Sequence, residues 1–250
     1  MRLLKGTLVP LLVLLLWEAA SRAGVLAIGT FSRPSEIAVA GAVIAADGSL
    51  ILATYQTLQA AFAGLLIALV SGIPLGMLVG LSAVAQRTVS PTLDVLRPIP
   101  PVALIPLALL VFGFGVSMEA VVVAFASVWS ITIATTAAVR SIERNLLEVA
   151  KSLEMGTIAY VRKIIIPAAF ARIAVGIRVA IGIALVVAVT VEIVVNPRGL
   201  GYGIILSQQS LRPDLMYAQL LWVGFVGWSI NSALSIIDRR LLWRFGTVRQ

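Results

Sequence analysis

Long apolar runs separated by short polar stretches dominate the chain, and those at 3–20, 52–84, 101–116, 120–139, 173–195 and 215–237 approach or exceed a membrane-spanning length. An α-helix needs about 20 such residues to cross roughly 30 Å of hydrocarbon. The pattern therefore predicts an all-α polytopic membrane protein with six transmembrane helices, read as a single transmembrane domain over 1–250. The third run is the shortest and carries Pro106, so a re-entrant segment is the alternative there, and it would invert the sidedness of everything that follows.

Within the second run, Ala60, Gly64, Ala68, Gly72, Gly76 and Gly80 recur every four residues. Small side chains on one helix face allow another helix to approach closely, which matters where lipid supplies no hydrophobic drive to association. The stripe predicts packing rather than chemistry, and its partner is a helix of the same chain or of a second copy. Pro74 in the same run removes one backbone hydrogen bond and is expected to kink the helix.

The polar connectors are of three kinds. Leu96-Arg97-Pro98-Ile99-Pro100-Pro101 is too rich in proline for regular helix and predicts a stiff connector. Asn196-Pro197-Arg198-Gly199-Leu200-Gly201-Tyr202-Gly203 supplies turn glycines, with a short interfacial helix expected over 204–210. Gly199, Gly201 and Tyr202 are thus candidates for an outer gate loop. The longest interruption, about 140–172, contains good helix formers over 145–153. Leu146, Leu147, Val149, Ala150 and Leu153 fall on one broad side, with Glu148, Lys151 and Ser152 elsewhere. Such a helix either lies on lipid headgroups or docks on a partner, and amphipathicity alone does not choose. Residues from Tyr160 through Pro167 lead directly from it into the fifth run.

Composition agrees with a membrane protein: 60% hydrophobic and 12% charged residues, with a mean hydropathy of +1.05. Cys and His are absent, which removes disulfides, thiolate and imidazole metal sites, and nucleophile mechanisms that need a Cys or a His base. The net charge of +8 would suggest nucleic acid in a soluble protein, but here the cations sort by membrane side. With six crossings and a cytoplasmic N-terminus, only Arg22, Arg33, Arg198 and Arg212 lie outside; the other fifteen of nineteen lie inside, as the positive-inside rule requires. Both termini are then cytoplasmic, the bilayer is the environment, and no nucleic-acid partner is implied. Arg2 and Lys5 before a leucine run, with Ala19-Ala20-Ser21-Arg22-Ala23 after it, resemble a signal peptide, yet Arg22 and the multispan remainder favour an uncleaved first helix.

Candidate pathway residues are few. Ser127, Trp129, Ser130, Thr132, Thr135 and Thr136 place hydroxyls and one aromatic ring in the fourth run. Hydroxyls in membrane helices also commonly bond their own backbone or a neighbouring helix. Glu192, an ionisable group near the end of the fifth run, is a functional candidate on cost alone, with anchoring of the following loop as its structural alternative.

Glu148-Val149-Ala150, followed by Ile164-Ile165-Ile166-Pro167, resembles the EAA loop of bacterial binding-protein-dependent ABC importer permeases. Leu96-Arg97-Pro98-Ile99-Pro100-Pro101, then Pro106-Leu107 and Phe112-Gly113, is similar to a signature of the sulfonate, taurine and nitrate permease branch. Gly176-Ile177-Arg178, Glu192, Gly199-Leu200-Gly201-Tyr202 and Arg240-Leu241-Leu242-Trp243 extend the likeness over nearly the whole chain. The resemblance implies a type I importer permease working by alternating access. It implies a second permease, expected to be an identical copy, two cytoplasmic ABC ATPases that carry ATP and Mg, and an extracytoplasmic substrate-binding protein. It makes Leu146, Leu147, Glu148, Val149, Ala150, Leu153, Gly156 and Pro167 the ATPase-coupling residues, and Trp129, Thr132, Thr136 and Glu192 pathway candidates. The bacterial inner membrane is the implied location, and a small anion the implied substrate. The sequence departs from the family pattern at Glu154, where a glycine is expected, with Gly156 two residues later, and at Ala60 and Ala171.

No G-x-x-x-x-G-K-[ST] phosphate loop is present, so ATP hydrolysis and its cofactors are expected in partner subunits rather than in this chain, which is not itself expected to be an enzyme. An intramembrane enzyme is disfavoured by the missing His and the lack of paired intramembrane Asp. A secondary, ion-coupled transporter is the alternative function, and would require coupling-ion ligands at mid-membrane and internal repeats. A structural or assembly subunit is the third class.

Overall fold

Among the residues described by the structure, a computed structural model covering 2–25, 31–142, 146, 148, 152 and 155–244, the backbone is helical with no strands. In chain order the elements are α1 (Arg2–Arg22), α2 (Pro34–Ala46), α3 (Ser49–Leu81), α4 (Ala83–Leu96), a 3-10 turn (Pro101–Leu104), α5 (Ile105–Phe112) and α6 (Val116–Arg140). After the charged loop come α7 (Thr157–Tyr160), a π-turn (Val161–Ile165), α8 (Ile166–Val194), α9 (Gly199–Gln209) and α10 (Pro213–Arg244). Three helical stretches are long and apolar enough to cross a membrane among the described residues: α3, α6 and the stretch containing α8. The α4–α5 pair is a fourth if counted as one bent span. α1 and α10, of 21 and 32 residues, occupy the first and last predicted runs.

The core is a three-helix slab. Ala61, Leu65 and Ala68 of α3, Val123 and Ile131 of α6, and Ala180, Ala184 and Ala188 of α8 bury one another. The small-residue stripe faces α6 of the same chain, which settles the partner that the spacing left open. A Cβ on Gly64 would lie 2.6 Å from the Ala120 carbonyl oxygen and from Val123, and one on Gly76 2.6 Å from the Thr132 oxygen and from Thr135. Gly80 meets Val139 at 2.8 Å in the same way, while Gly72 meets Ile131 at a looser 3.1 Å. At Gly64, Gly76 and Gly80 the helices are thus too close for a larger residue without a shift, the geometry that small-residue repeats permit. α3 is continuous through Pro74.

The third predicted span is broken rather than straight. Its helical part within the predicted run is α5, eight residues long, or roughly 12 Å at 1.5 Å per residue, too short to cross alone. It is joined through the 3-10 turn to α4, which no apolar run had predicted, and the pair is bent by 85°. The prolines at 98, 100 and 101 account for the bend, as the predicted stiff connector requires. Gly113 (φ 69) and Gly115 (φ 127) end α5 in conformations that L side chains rarely adopt, and α6 starts immediately after. α4 is amphipathic and polar enough to escape a hydropathy reading, and none of its residues is buried; Ser82 caps it by accepting from the Ala85 N–H at 3.1 Å.

α2 was also unforeseen. Pro34 opens it, the Glu36 carboxylate accepts the Arg33 N–H at 3.1 Å, and Ile37, Ala40 and Ile44 pack with Leu50, Leu200 and Ala218. Gly48 (φ 78) then turns the chain into α3.

Candidate translocation and coupling site

The charged loop leaves α6 after Arg140. Leu146, Glu148 and Ser152 are helical, Leu146 is exposed, and the Ser152 hydroxyl donates to the Glu148 carbonyl at 3.0 Å. Leu147, Val149, Ala150 and Leu153 lie outside the described residues. Gly156 is non-helical and does not take up a left-handed conformation, and its carbonyl accepts from Tyr160 N–H at 2.9 Å as α7 begins. From there the chain is helical without interruption into α8. The π-turn ends two residues before Pro167, whose ring has no N–H to return to the preceding turn. Ile165, Ala169, Ala138 and Val139 are buried together, with Met77 and Tyr160 against them, so the loop's exit is clamped between the ends of α6 and α8.

Two of the candidate pathway hydroxyls do structural work. Thr132 Oγ1 donates to Gly72 O at 3.4 Å and Thr136 Oγ1 to Gly76 O at 3.1 Å, so both join α6 to carbonyls that the glycine stripe leaves uncovered. Arg140 continues the series, donating to Val79 O at 3.2 Å. On their other side Trp129, Thr132 and Thr136 line a cavity of about 280 Å³ between α3, α4 and α6, together with Arg97, Asp94 and Arg140. Trp129 packs edge-on against Phe125, with ring centroids 5.3 Å apart.

Glu192 is at the far end of α8 and buried. The expected outer loop is corrected here: Gly199, Gly201 and Tyr202 are not in a turn but in the first turn of α9, which begins at Gly199 rather than near 204. Gly199 (φ 82) makes the entry possible. The first three N–H groups of α9, which no intrahelical bond can satisfy, are each met by a side chain from another helix. Gly199 N–H donates to Gln56 Oε1 at 3.0 Å, Leu200 N–H to Thr57 Oγ1 at 2.9 Å, and Gly201 N–H to Glu192 Oε2 at 2.8 Å. A carboxylate at a helix N-terminus is also favoured by the helix dipole. Beside it, Glu119 of α6 is buried and accepts a hydrogen bond from Asn196 Nδ2. Tyr202 lines a second cavity, of about 510 Å³, with Gln56, Arg198 and Gln219.

Sequence reading missed Gln56, Thr57, Glu119 and Asn196. Glu119 carried a signal, being a carboxylate at the very edge of an apolar run; the others are ordinary polar residues whose meaning depends on α9 being a helix. Arg178, one of the cations assigned to the inside, stands within α8, where Nε and Nη2 donate to Asn231 Oδ1 at 3.0 and 2.9 Å and Nη2 to Ser235 Oγ. Among the described residues no three acidic, His or Cys side chains gather as metal ligands.

Residues 72–245 match the family of binding-protein-dependent transport system inner membrane components. SsuC of Bacillus subtilis, a permease protein named for aliphatic sulfonates transport, is 28% identical over 96% of this chain and 88% of its own. The bicarbonate transport system permease protein CmpB of Synechococcus elongatus is 30% identical over 78% and 71%. In fold, a solved chain of the inward-facing MetNI methionine ABC transporter superposes with a TM-score of 0.70 at 21% identity, covering 76% of this chain and 95% of that one. The slab of α3, α6 and α8, the bent α4–α5 pair and the charged loop before α8 are thus set in a matching sequence, and the chain belongs to the binding-protein-dependent transport system inner membrane components, as a permease subunit of an ABC importer.

Proposed function

We propose that two copies of this chain form the pathway of an importer for a small oxyanion, driven by two ATPase subunits that carry ATP and Mg on the cytoplasmic side and fed by an extracytoplasmic binding protein. One observation carries the coupling: from Thr157 the helix runs through the π-turn and α8 to Glu192, whose carboxylate holds the start of α9. Movement imposed on the loop by the ATPases therefore reaches the opposite end of the chain through one continuous helix, which is what alternating access needs. The helix expected over 145–153 is the docking element, with Leu146, Leu147, Val149 and Ala150 as its apolar contacts and Glu148 beside them. The protein sits in a bacterial inner membrane with both termini cytoplasmic. An oxyanion substrate is supported by relatives named for sulfonates, taurine, nitrate and bicarbonate. The secondary-transporter alternative is set aside with the family membership.

The test is co-purification and uptake. Leu146, Leu147 and Val149 changed together to Asp should release the ATPase from the membrane complex and abolish uptake into vesicles. An ATPase that stays bound while transport persists would overturn the docking assignment.

A further inference from the structure

The cavity between α3, α4 and α6 holds two arginines, of which Arg140 spends one N–H on Val79 O and Arg97 makes no side-chain hydrogen bond among the described residues. Arg97 is the C-cap of α4 and Arg140 closes α6, and both line the same cavity of about 280 Å³ with Trp129. Cations at helix C-termini are favourable by themselves, so charge at these two positions has a structural explanation. That explanation does not account for their convergence on one hollow from two helices on either side of a proline break. Nor does it account for Trp129 in the same lining, whose indole N–H is buried without an acceptor among the described residues. Asp94 lines the cavity too, yet among the described residues it forms no ion pair with either arginine. Arg140 uses one N–H on Val79 O, and its planar fork has others to give. Thr132 and Thr136 have committed their single protons to Gly72 and Gly76, so they form wall rather than donors to an anion.

We infer that this cavity is an oxyanion site, in which Arg97 and Arg140 bind a sulfonate-like or phosphate-like group by charge-assisted hydrogen bonds. Guanidinium groups match such oxygens in charge and in fork geometry. The volume is near the lower end of the roughly 300–1,000 Å³ typical of small-molecule sites, enough for an oxyanion with a short organic tail. The inference rests on the anion-importer reading, and charge distribution puts the site on the cytoplasmic side. There the same chemistry has two sources, a solute leaving the pathway or the headgroup of an anionic lipid.

The experiment uses the purified full chain in nanodiscs, with Arg97→Gln, Arg140→Gln and the double variant. Arg97 makes no side-chain hydrogen bond among the described residues, so its variant tests the site without disturbing the fold; a melting curve controls for Arg140→Gln, which loses the Val79 bond. In pure phosphatidylcholine discs, radiolabelled methanesulfonate should bind the wild type, weaken with added salt, and bind Arg97→Gln about tenfold less tightly. If the source is lipid, methanesulfonate binding is absent, and phosphatidylglycerol carried through purification is retained by the wild type and lost from the double variant. Equal methanesulfonate binding and equal phosphatidylglycerol retention in wild type and Arg97→Gln would overturn the inference. No ATPase is present in this assay. Oxyanion binding without ATPase co-purification would therefore fault the importer reading alone, and the reverse result would fault only this site.

Discussion

The Gly201 backbone N–H donates to Glu192 Oε2 at 2.8 Å, tying the first turn of α9 to the last turn of α8. With Gln56 and Thr57 of α3 meeting the two preceding N–H groups, the start of α9 is satisfied by three side chains from two other helices. A residue singled out by its cost in a membrane thus holds the segment that follows it, the structural alternative its position had offered.

Replacement of Glu192 separates structure from transport. Glu192→Gln keeps an acceptor for Gly201 and is expected to melt close to the wild type, with uptake retained. Glu192→Leu leaves that N–H buried and unpaired, at a cost of about 1–3 kcal/mol, readable as a lower melting midpoint of the solubilised chain. A Glu192→Gln chain that melts normally but no longer transports would give the carboxylate itself a role in transport.

The glycines of α3 and α8 should respond with opposite sign. A Cβ at Gly76 meets the Thr132 oxygen and the Thr135 side chain, each at 2.6 Å, so Gly76→Ala forces α3 from α6 and is expected to cost about 1–3 kcal/mol. Gly182 in α8 has nothing within 4 Å of the same position. Gly182→Ala should be neutral or stabilising by up to about 1 kcal/mol. Thermal unfolding of the two variants side by side checks both.

Two glycines with positive φ make a second contrast. Gly48 (φ 78) opens onto free space, so Gly48→Ala carries only the left-handed penalty of about 1–2 kcal/mol. Gly199 (φ 82) faces the Glu192 carboxylate, which an added Cβ would strike. Gly199→Ala should lower the melting midpoint distinctly more than Gly48→Ala, and combining it with Glu192→Ala should recover part of the loss.

Arg178 holds α10 against α8 through Asn231 and Ser235. Arg178→Lys keeps the charge but not the planar fork, and Arg178→Ala removes both. Loss of hydrogen bonds to a charged group costs about 1.5–3 kcal/mol each when well formed, so stability should fall in the order Arg, Lys, Ala. Equal midpoints for Lys and Ala would mean that the ammonium recovers none of the contact.

Periodicity and hydropathy read the long elements well because lipid imposes one requirement, apolar length, that local sequence can display. The runs at 52–84, 120–139 and 173–195 correspond to α3, α6 and α8 within a few residues, apart from α8 starting earlier behind Pro167. Local sequence failed where an element is defined by what it packs on. α4 exposes polar side chains along its length, α2 owes its place to Leu200 and Ala218, and α9 begins at glycines that usually announce a turn. The site followed the same rule. Trp129, Thr132 and Thr136 were visible as polar groups in an apolar run, but Arg97 joins their cavity only through the tertiary placement of α4, which no local pattern shows.

The glycine seam between α3 and α6 leaves almost no side-chain thickness between two backbones, and Thr132, Thr136 and Arg140 rivet it at three successive levels. Such a joint resists sliding, because each rivet has one acceptor, and resists parting, because separation would empty a close-packed seam. The two helices are therefore expected to travel as one plank. Opening and closing of the permease is then expected at its margins, at the proline elbow beside α4 and at the stitched start of α9.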